Sequence, residues 1–214
     1  MRSETDALAA VGFYFLVPVS SPGNHSGTYA QGGAAAQAAT TDIQTAINAG
    51  RVDLPPTSNH AVYLHLDVES VSLSADYWNG WWDACRASFI TSPKYGTWQP
   101  IYSGAYASPN DAATMNVLTA AAATRPCYGL WTTYPSARDC TYCAAPGPDW
   151  SNAVGHSGLT LTMWQYGIHE LAGFPNSGCP YSNPGPACSS PYPNVDLDQS
   201  SPLFTQTDYM LWIT

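Results

Sequence analysis

Segments with strand patterns alternate with segments with helix patterns along most of this 214-residue chain. Such alternation favours a parallel sheet, because each helix returns the chain to the start of the next strand. No linker or internal repeat interrupts the pattern, so a single domain over residues 1–214 is expected. Six strands are predicted, at 13–19, 61–69, 98–106, 127–135, 159–167 and 194–199. Helices are predicted at 3–12, 34–50, 75–89 and 108–124.

The predicted strand AVYLHLDVE, residues 61–69, has two different faces, because side chains alternate along a strand. The residues of one face are all aliphatic: Val62, Leu64, Leu66 and Val68. The other face becomes polar toward its end: Tyr63, His65, Asp67 and Glu69. An aliphatic face suits packing under helices. Carboxylates at the end of the other face suit an active site at the carboxyl end of a barrel strand.

Asp67 and Glu69 are therefore candidate catalytic residues. Carboxylates two residues apart on one strand face have Cα atoms about 6.5–7 Å apart. Their carboxyl groups can then lie within the roughly 5–9.5 Å used by glycosidase pairs. Close carboxylates also raise one another's pKa, so one can stay protonated as an acid. An Asp-x-Glu sequence can equally begin a loop, bind a metal or occur by chance.

Five segments, in order, resemble glycoside hydrolase family 25, the lysozyme-like family: LHLDVE, PIYSGAY, LWTTYP, TMWQYG and NVDLDQ. GFYFLVP is similar to the third strand of that family, and the start of the chain resembles the related glycoside-hydrolase-like domain of secreted bacterial proteins. The resemblance implies an α/β fold, a (β/α)8 TIM-type barrel that is incomplete, with its third to eighth strands present. No segment matches the family's first strand, so the first two strands and an export signal are expected ahead of Met1.

The resemblance also implies roles for individual residues. Glu69 would be the general acid that protonates the leaving glycosidic oxygen. Asp67 would stabilise the oxocarbenium-like transition state or orient an acetamido group. Asp196 would line the same pocket, although it could instead be a turn residue. The residues expected to shape the sugar groove are Tyr102, Trp131, Gln165 and Tyr166. Tyr102 could instead face the helices, and Trp131 could serve packing alone.

The implied substrate is a polysaccharide, namely cell-wall peptidoglycan, cleaved at an O-glycosyl bond as a muramidase does. The resemblance implies a secreted or extracellular protein, and we expect it to be a monomer without cofactor or metal. Two other functions stay open. One is a catalytically inactive barrel that binds glycans, and the other is an exported structural protein with no glycan role.

The charge composition excludes some partners. The formal charge is −9 and the chain has only six Lys+Arg, which argues against nucleic acid and against a polybasic membrane anchor. No apolar run approaches the roughly 20 residues of a membrane helix. The opening MRSETDALAAVG lacks the continuous apolar segment of a signal peptide.

Six cysteines in a lysine-poor chain suit an oxidising compartment. We expect at least one disulfide among five of them: Cys127, Cys140, Cys143, Cys179 and Cys188. CTYC at 140–143 also has the spacing of a zinc knuckle or a thioredoxin motif, but no second such pair exists. Cys85 and Cys127 could instead be buried thiols. His65 could contact Asp67 or simply pack inside a barrel.

Local signals give expectations for the helices. Ser74 can cap the helix at 75–89, whose apolar face should include Tyr77, Trp81, Cys85 and Phe89 at four-residue spacing. Ser108 should cap the next helix, with Pro109 in its first position. The strand at 98–106 should end near Gly104. Residues 201–214 are expected to form a helix or turn.

Overall fold

The computed structural model describes residues 15–16, 18–54, 61–137, 153–167, 197–200 and 211–213. The strands in these ranges are β1 Phe15–Leu16, β2 Val19–Ser20, β3 Val52–Asp53, β4 Val62–Val68, β5 Phe89–Ser92, β6 Thr97–Ala107, β7 Gly129–Ala137, β8 Leu161–Gly167, β9 Leu197–Ser200 and β10 Leu211–Ile213. The helices are α1 Tyr29–Asn48, α2 Ala75–Ala87 and α3 Ala112–Ala121. The helix expected at 3–12 lies outside the described residues.

The main sheet is largely parallel. Strands β2, β4, β6, β7 and β8 follow one another across it in chain order, each parallel to its neighbour. The α/β class expected from the strand–helix alternation is therefore confirmed. Strand β9 pairs with β8 in the antiparallel sense, whereas all strands of a (β/α)8 barrel are parallel. Among the described strands the sheet is open, with β2 and β9 at its edges.

A second, smaller sheet joins distant parts of the chain. Strand β10 lies between β1 and β3 and is antiparallel to both. Residues 211–213 are thus extended, and the expectation that they belong to a helix or turn is wrong. Strand β3 also lies where only a loop was predicted. Such short pairings depend on contacts between remote segments, which local sequence patterns do not reveal.

The two faces predicted for β4 are observed. The core beneath the helices contains its four aliphatic residues: Val62, Leu64, Leu66 and Val68. The same core contains residues from all three described helices, among them Ile43 of α1, Trp81 of α2 and Leu118 of α3. Tyr63 belongs to a separate cluster on the opposite face. The described helices therefore cover one face of the sheet, which we call the helix face. The opposite face, which includes Tyr63 and Asp67, we call the site face.

Side-chain caps determine where the helices begin. Ser74 accepts a hydrogen bond from the amide of Tyr77 at 3.1 Å, so the predicted cap of α2 is confirmed. Helix α1 begins earlier than predicted, because Thr28 and Gln31 form a reciprocal capping box. The predicted start of α3 at Ser108 and Pro109 is wrong. The carboxylate of Asp111 accepts from two amides of the first turn, and a carboxylate is a strong N-cap.

The apolar side of α2 is partly as predicted. Tyr77, Trp81 and Cys85 are buried, as is the neighbouring Trp78. The helix ends at Ala87, and Ser88 is extended, so Phe89 begins a strand instead of extending the helix face. Phe89 is 59% exposed, which makes its predicted burial wrong. The cause is pairing of β5 with β6, which takes residues 89–92 into a hairpin.

Two cysteines of the described ranges, Cys85 and Cys127, are free buried thiols. Burial raises the pKa of each thiol to about 12, so both resist ionisation and oxidation. Cys127 donates to the carbonyl of Gly129. A disulfide through Cys127 is therefore not formed. The other four cysteines lie outside the described residues, and a disulfide among them stays a prediction.

Helices α1 and α2 approach each other through two glycines. A Cβ atom on Gly32 would lie 2.0 Å from the carbonyl oxygen of Tyr77, and one on Gly80 would lie 1.9 Å from that of Tyr29. Real Cβ atoms do not come so close to a backbone oxygen. Only glycine at both positions permits this spacing of the helices.

We predict that Gly80→Ala lowers the free energy of unfolding by about 1–3 kcal/mol, the usual cost of overpacking a core. The helix backbones must separate to admit the methyl group, because the obstructing atoms belong to the backbone. Chemical denaturation monitored by circular dichroism measures the change. Gly33→Ala is the matched control. A Cβ on Gly33 would lie 3.6 Å from the nearest atom, so this change should be neutral or stabilising by roughly 0.5–1 kcal/mol. Equal effects of the two substitutions would contradict the proposed close contact.

Candidate functional site

Asp67 is located near the carboxyl end of β4, on the site face. Its Oδ2 atom accepts a hydrogen bond from the Ser21 hydroxyl, which follows β2. Its Oδ1 atom is buried and has no hydrogen-bond partner among the described residues. Ser21 therefore holds the Oδ2 atom of this carboxylate, whereas Oδ1 accepts no hydrogen bond from a described residue.

Three further polar or aromatic residues lie beside Asp67 on neighbouring strands. Tyr106 of β6 is its direct register partner, and Trp131 of β7 is in turn the register partner of Tyr106. The two rings meet edge to face, with centroids 4.9 Å apart. The Tyr106 hydroxyl donates to Oε1 of Gln165 on β8 at 3.0 Å. A row of four side chains thus crosses the site face, beginning near the carboxyl ends of β4 and β6: Asp67, Tyr106, Trp131 and Gln165.

The predicted site residues are only partly brought together. Asp67, Trp131 and Gln165 belong to this row. Tyr102 lies on the same face of β6 but pairs with Tyr63, four residues before the level of Asp67. That separation is about 13 Å along the strand. Tyr102 does not face the helices, but it lies well away from Asp67.

Of the other predicted residues, one lies beyond its strand and two have side chains outside the described part. Glu69 follows the end of β4 and is exposed, so it lies beyond the strand rather than on its face. Tyr166 is within β8, but its side chain is outside the described part. Asp196 lies outside the described residues, directly before β9.

The deeper part of the site face is filled by aromatic rings. Tyr102 stacks on Tyr128 with centroids 4.5 Å apart, and Tyr63 contacts Tyr102 edge to face at 5.7 Å. Two glycines provide the space. A Cβ on Gly104 would lie 2.6 Å from a ring carbon of His65, and one on Gly129 would lie 2.9 Å from a ring carbon of Tyr63. The expectation that β6 ends near Gly104 is therefore wrong, because this glycine makes room for a ring in mid-strand.

His65 is fully buried in this aromatic layer. Its ring lies 5.7 Å from that of Trp131 and nearly perpendicular to it. Neither ring nitrogen makes a hydrogen bond of standard geometry to a described residue. Burial lowers the pKa of His65 to about 4, and the nearby carbonyl of Pro18 offsets this only slightly. Near neutral pH the imidazole is uncharged, so His65 supports the floor beneath Trp131 rather than carrying charge.

Three residues near Asp67 were missed by the sequence patterns. Tyr106 could have been found, because it shares the strand face of Tyr102 and is closer to the strand end. Ser21 and His25 come from the loop between β2 and α1, and no local spacing links them to β4. His25 is 2% exposed, and the negative charge of Asp67 acts on its ring.

Within the described ranges, no cluster of three or more His, Cys, Asp or Glu side chains could hold a metal ion. The described helices include none with the length and apolar character needed to cross a membrane. No protein-family model, curated protein or solved structure matches the chain.

We predict that His65 makes the protein less stable as the pH falls from 6.5 to 4. Its pKa is lower in the folded protein than the ordinary value of 6.5, so the unfolded chain binds the extra proton in this window. The stabilisation is full above pH 6.5 and is lost progressively below it, by about 3 kcal/mol in total. Urea denaturation at a series of pH values measures the effect.

His65→Gln should reduce the slope of stability against pH in this window by up to about 1.4 kcal/mol per pH unit. His156→Gln is the control, because His156 lies in a loop and is not buried. If His65→Gln kept the wild-type slope, His65 would not be a buried neutral imidazole.

Proposed function

We propose that the chain is a glycoside hydrolase-like protein that acts on a cell-wall polysaccharide of the peptidoglycan type. The observation that carries the proposal is the pair Asp67 and Tyr106, near the carboxyl ends of the parallel strands β4 and β6, with Trp131 of β7 beside them. A partly exposed carboxylate beside two aromatic rings suits a sugar, because a pyranose offers hydroxyls at its edge and an apolar face for stacking. Parallel α/β sheets also bind ligands at this end of their strands.

We further propose that the sheet is part of a (β/α)8-type barrel. Two observations support this. The parallel strands keep chain order across the sheet, and the described helices cover one face only. In a doubly wound sheet, by contrast, the strand order reverses and helices cover both faces. The antiparallel β9 departs from a standard barrel.

In the proposed reaction, Glu69 is the general acid that protonates the leaving glycosidic oxygen, and Asp67 is its partner at the sugar. Asp67 suits the partner role because Ser21 fixes the orientation of its carboxylate, which supplies negative charge beside the sugar. Trp131 and Tyr106 would form the wall on which a sugar ring stacks. Gln165 would orient Tyr106 through their hydrogen bond.

A second candidate function is glycan binding without cleavage. Glu69 is exposed beyond the end of β4, whereas a general acid usually needs an enclosed position to keep its proton near neutral pH. A binding role requires only the aromatic wall and the carboxylate of Asp67.

We predict that the chain lowers the turbidity of a peptidoglycan suspension and releases reducing ends from it. Glu69→Gln should lower the rate by at least about 10²-fold, because the amide cannot transfer a proton to the leaving oxygen. Asp67→Asn should also impair turnover, since it removes the negative charge at the sugar.

Asp42→Asn is the matched control, because Asp42 is an exposed carboxylate in the second half of α1 and does not belong to the row that contains Asp67. It should leave the rate unchanged. Full activity of Glu69→Gln would contradict its role as the acid. Sedimentation of the chain with peptidoglycan, without release of reducing ends, would favour the binding function. If the chain neither sedimented with peptidoglycan nor released reducing ends, the glycan proposal would be overturned.

A further inference from the structure

The loop of residues 21–28, between β2 and α1, is fixed from two directions at the carboxyl end of β4. From β4, the carboxylate of Asp67 accepts from the Ser21 hydroxyl. From the start of α2, the amide of Ser74 donates to the carbonyl of His25 at 2.8 Å, and the Ser74 hydroxyl donates to the carbonyl of Gly27 at 2.7 Å. These contacts place His25 between the end of β4 and the first turn of α2.

This region contains a buried hydrogen-bond donor and a buried acceptor that both lack a partner of standard geometry among the described residues. His25 is 2% exposed, and neither ring nitrogen makes a hydrogen bond of standard geometry to a described residue. Oδ1 of Asp67 is likewise buried and lacks such a partner. Leaving a buried donor or acceptor unsatisfied destabilises the folded protein. An imidazole N–H and a carboxylate oxygen can satisfy each other, directly or through one bridging water.

The other groups around His25 do not replace this partner. The ring of Tyr77, from α2, meets the imidazole edge to face at 6.1 Å. Its phenol is neutral near pH 7, since burial raises a pKa that is ordinarily 10. The backbone carbonyl of Val71 also faces the ring. Among the described residues, Asp67 is the charged group that acts on His25.

We propose that His25 is a positioning residue for Asp67, with an imidazole N–H that serves the Oδ1 atom through one bridging water. Ser21 and His25, both from one loop, then hold the two oxygens of the same carboxylate. This pairing does not require glycan cleavage, but its consequence for turnover rests on the proposed function. In this proposal, the loop of residues 21–28 orients the carboxylate of Asp67 on β4.

Burial and the charge of Asp67 shift the pKa of His25 in opposite directions, so this pKa reports on the pairing. Burial lowers the pKa of His25, while the charge of Asp67 and the Val71 carbonyl act in the opposite direction. Removing the carboxylate charge must therefore lower the pKa of His25 further. An opposite charge within about 4–6 Å shifts a pKa by roughly 1–3 units, which sets the expected size.

The test is an NMR titration of the histidine rings in the ¹⁵N-labelled chain, with the His25 signal identified by its loss in His25→Gln. Asp67→Asn should lower the His25 pKa by about one unit or more. Asp67→Glu keeps the charge and should restore most of the wild-type value. Asp83→Asn is the matched control, because Asp83 pairs with Arg125, whereas the charge that acts on His25 is that of Asp67. It should leave the His25 titration unchanged.

An unchanged His25 pKa in Asp67→Asn would overturn the proposal. If Asp67→Asn did not fold, Asp67→Ser gives the same comparison with a smaller uncharged side chain. In an active protein, His25→Gln should lower kcat more than it raises KM and should alter the pH profile of kcat. An inactive chain whose His25 still responds to Asp67→Asn would refute the glycosidase proposal while leaving the pairing intact.

Discussion

The central constraint in this structure is the strict alternation of side chains along β4. Its aliphatic residues are almost completely inaccessible to solvent and pack under three helices. Burying each such side chain contributes roughly 1.5–3 kcal/mol, so a shift of one residue in register would forfeit most of this core. The same alternation places Tyr63, His65 and Asp67 on the opposite face. The position of the candidate site is thus fixed by packing on the far side of the sheet.

The site face changes character along the strands for a physical reason. Its deeper part is closed by rings, which fit because Gly104 and Gly129 have no side chains to obstruct them. A neutral, buried His65 belongs to this layer. Near the carboxyl ends of β4, β6 and β8, Asp67, Tyr106 and Gln165 provide a carboxylate, a hydroxyl and an amide. A ligand that needs both stacking and hydrogen bonding would therefore bind at this end.

Features that depend on short stretches were predicted well from sequence. The faces of β4, the cap at Ser74 and the buried side of α2 each follow from residues a few positions apart. Features that depend on remote pairing were missed. Phe89 continues the helical spacing of α2, but β5 forms because β6 is available as a partner. The start of α3 was misplaced because two nearby sequences, at Ser108 and Asp111, compete as caps.

The candidate site was predicted only where it lies on the strands. Asp67 was placed on its face by the alternation along β4, whereas Trp131 and Gln165 were named only through the family resemblance. Ser21 contacts Asp67 across 46 positions of sequence, and His25 comes from the same loop, so no local pattern could link them to β4. The barrel and the glycan substrate follow from a resemblance and stay proposals.

The most direct test of the account is a titration of the ¹⁵N-labelled chain with a soluble disaccharide fragment of peptidoglycan, followed through the indole N–H signals of its eight tryptophans. Trp131 lies in the proposed sugar wall, whereas Trp98 is 62% exposed on the β5–β6 hairpin and serves as an internal control. We predict a saturable shift of the Trp131 signal, with the Trp98 signal unchanged. A shift at Trp98 alone, or no shift at Trp131 at any ligand concentration, would contradict it.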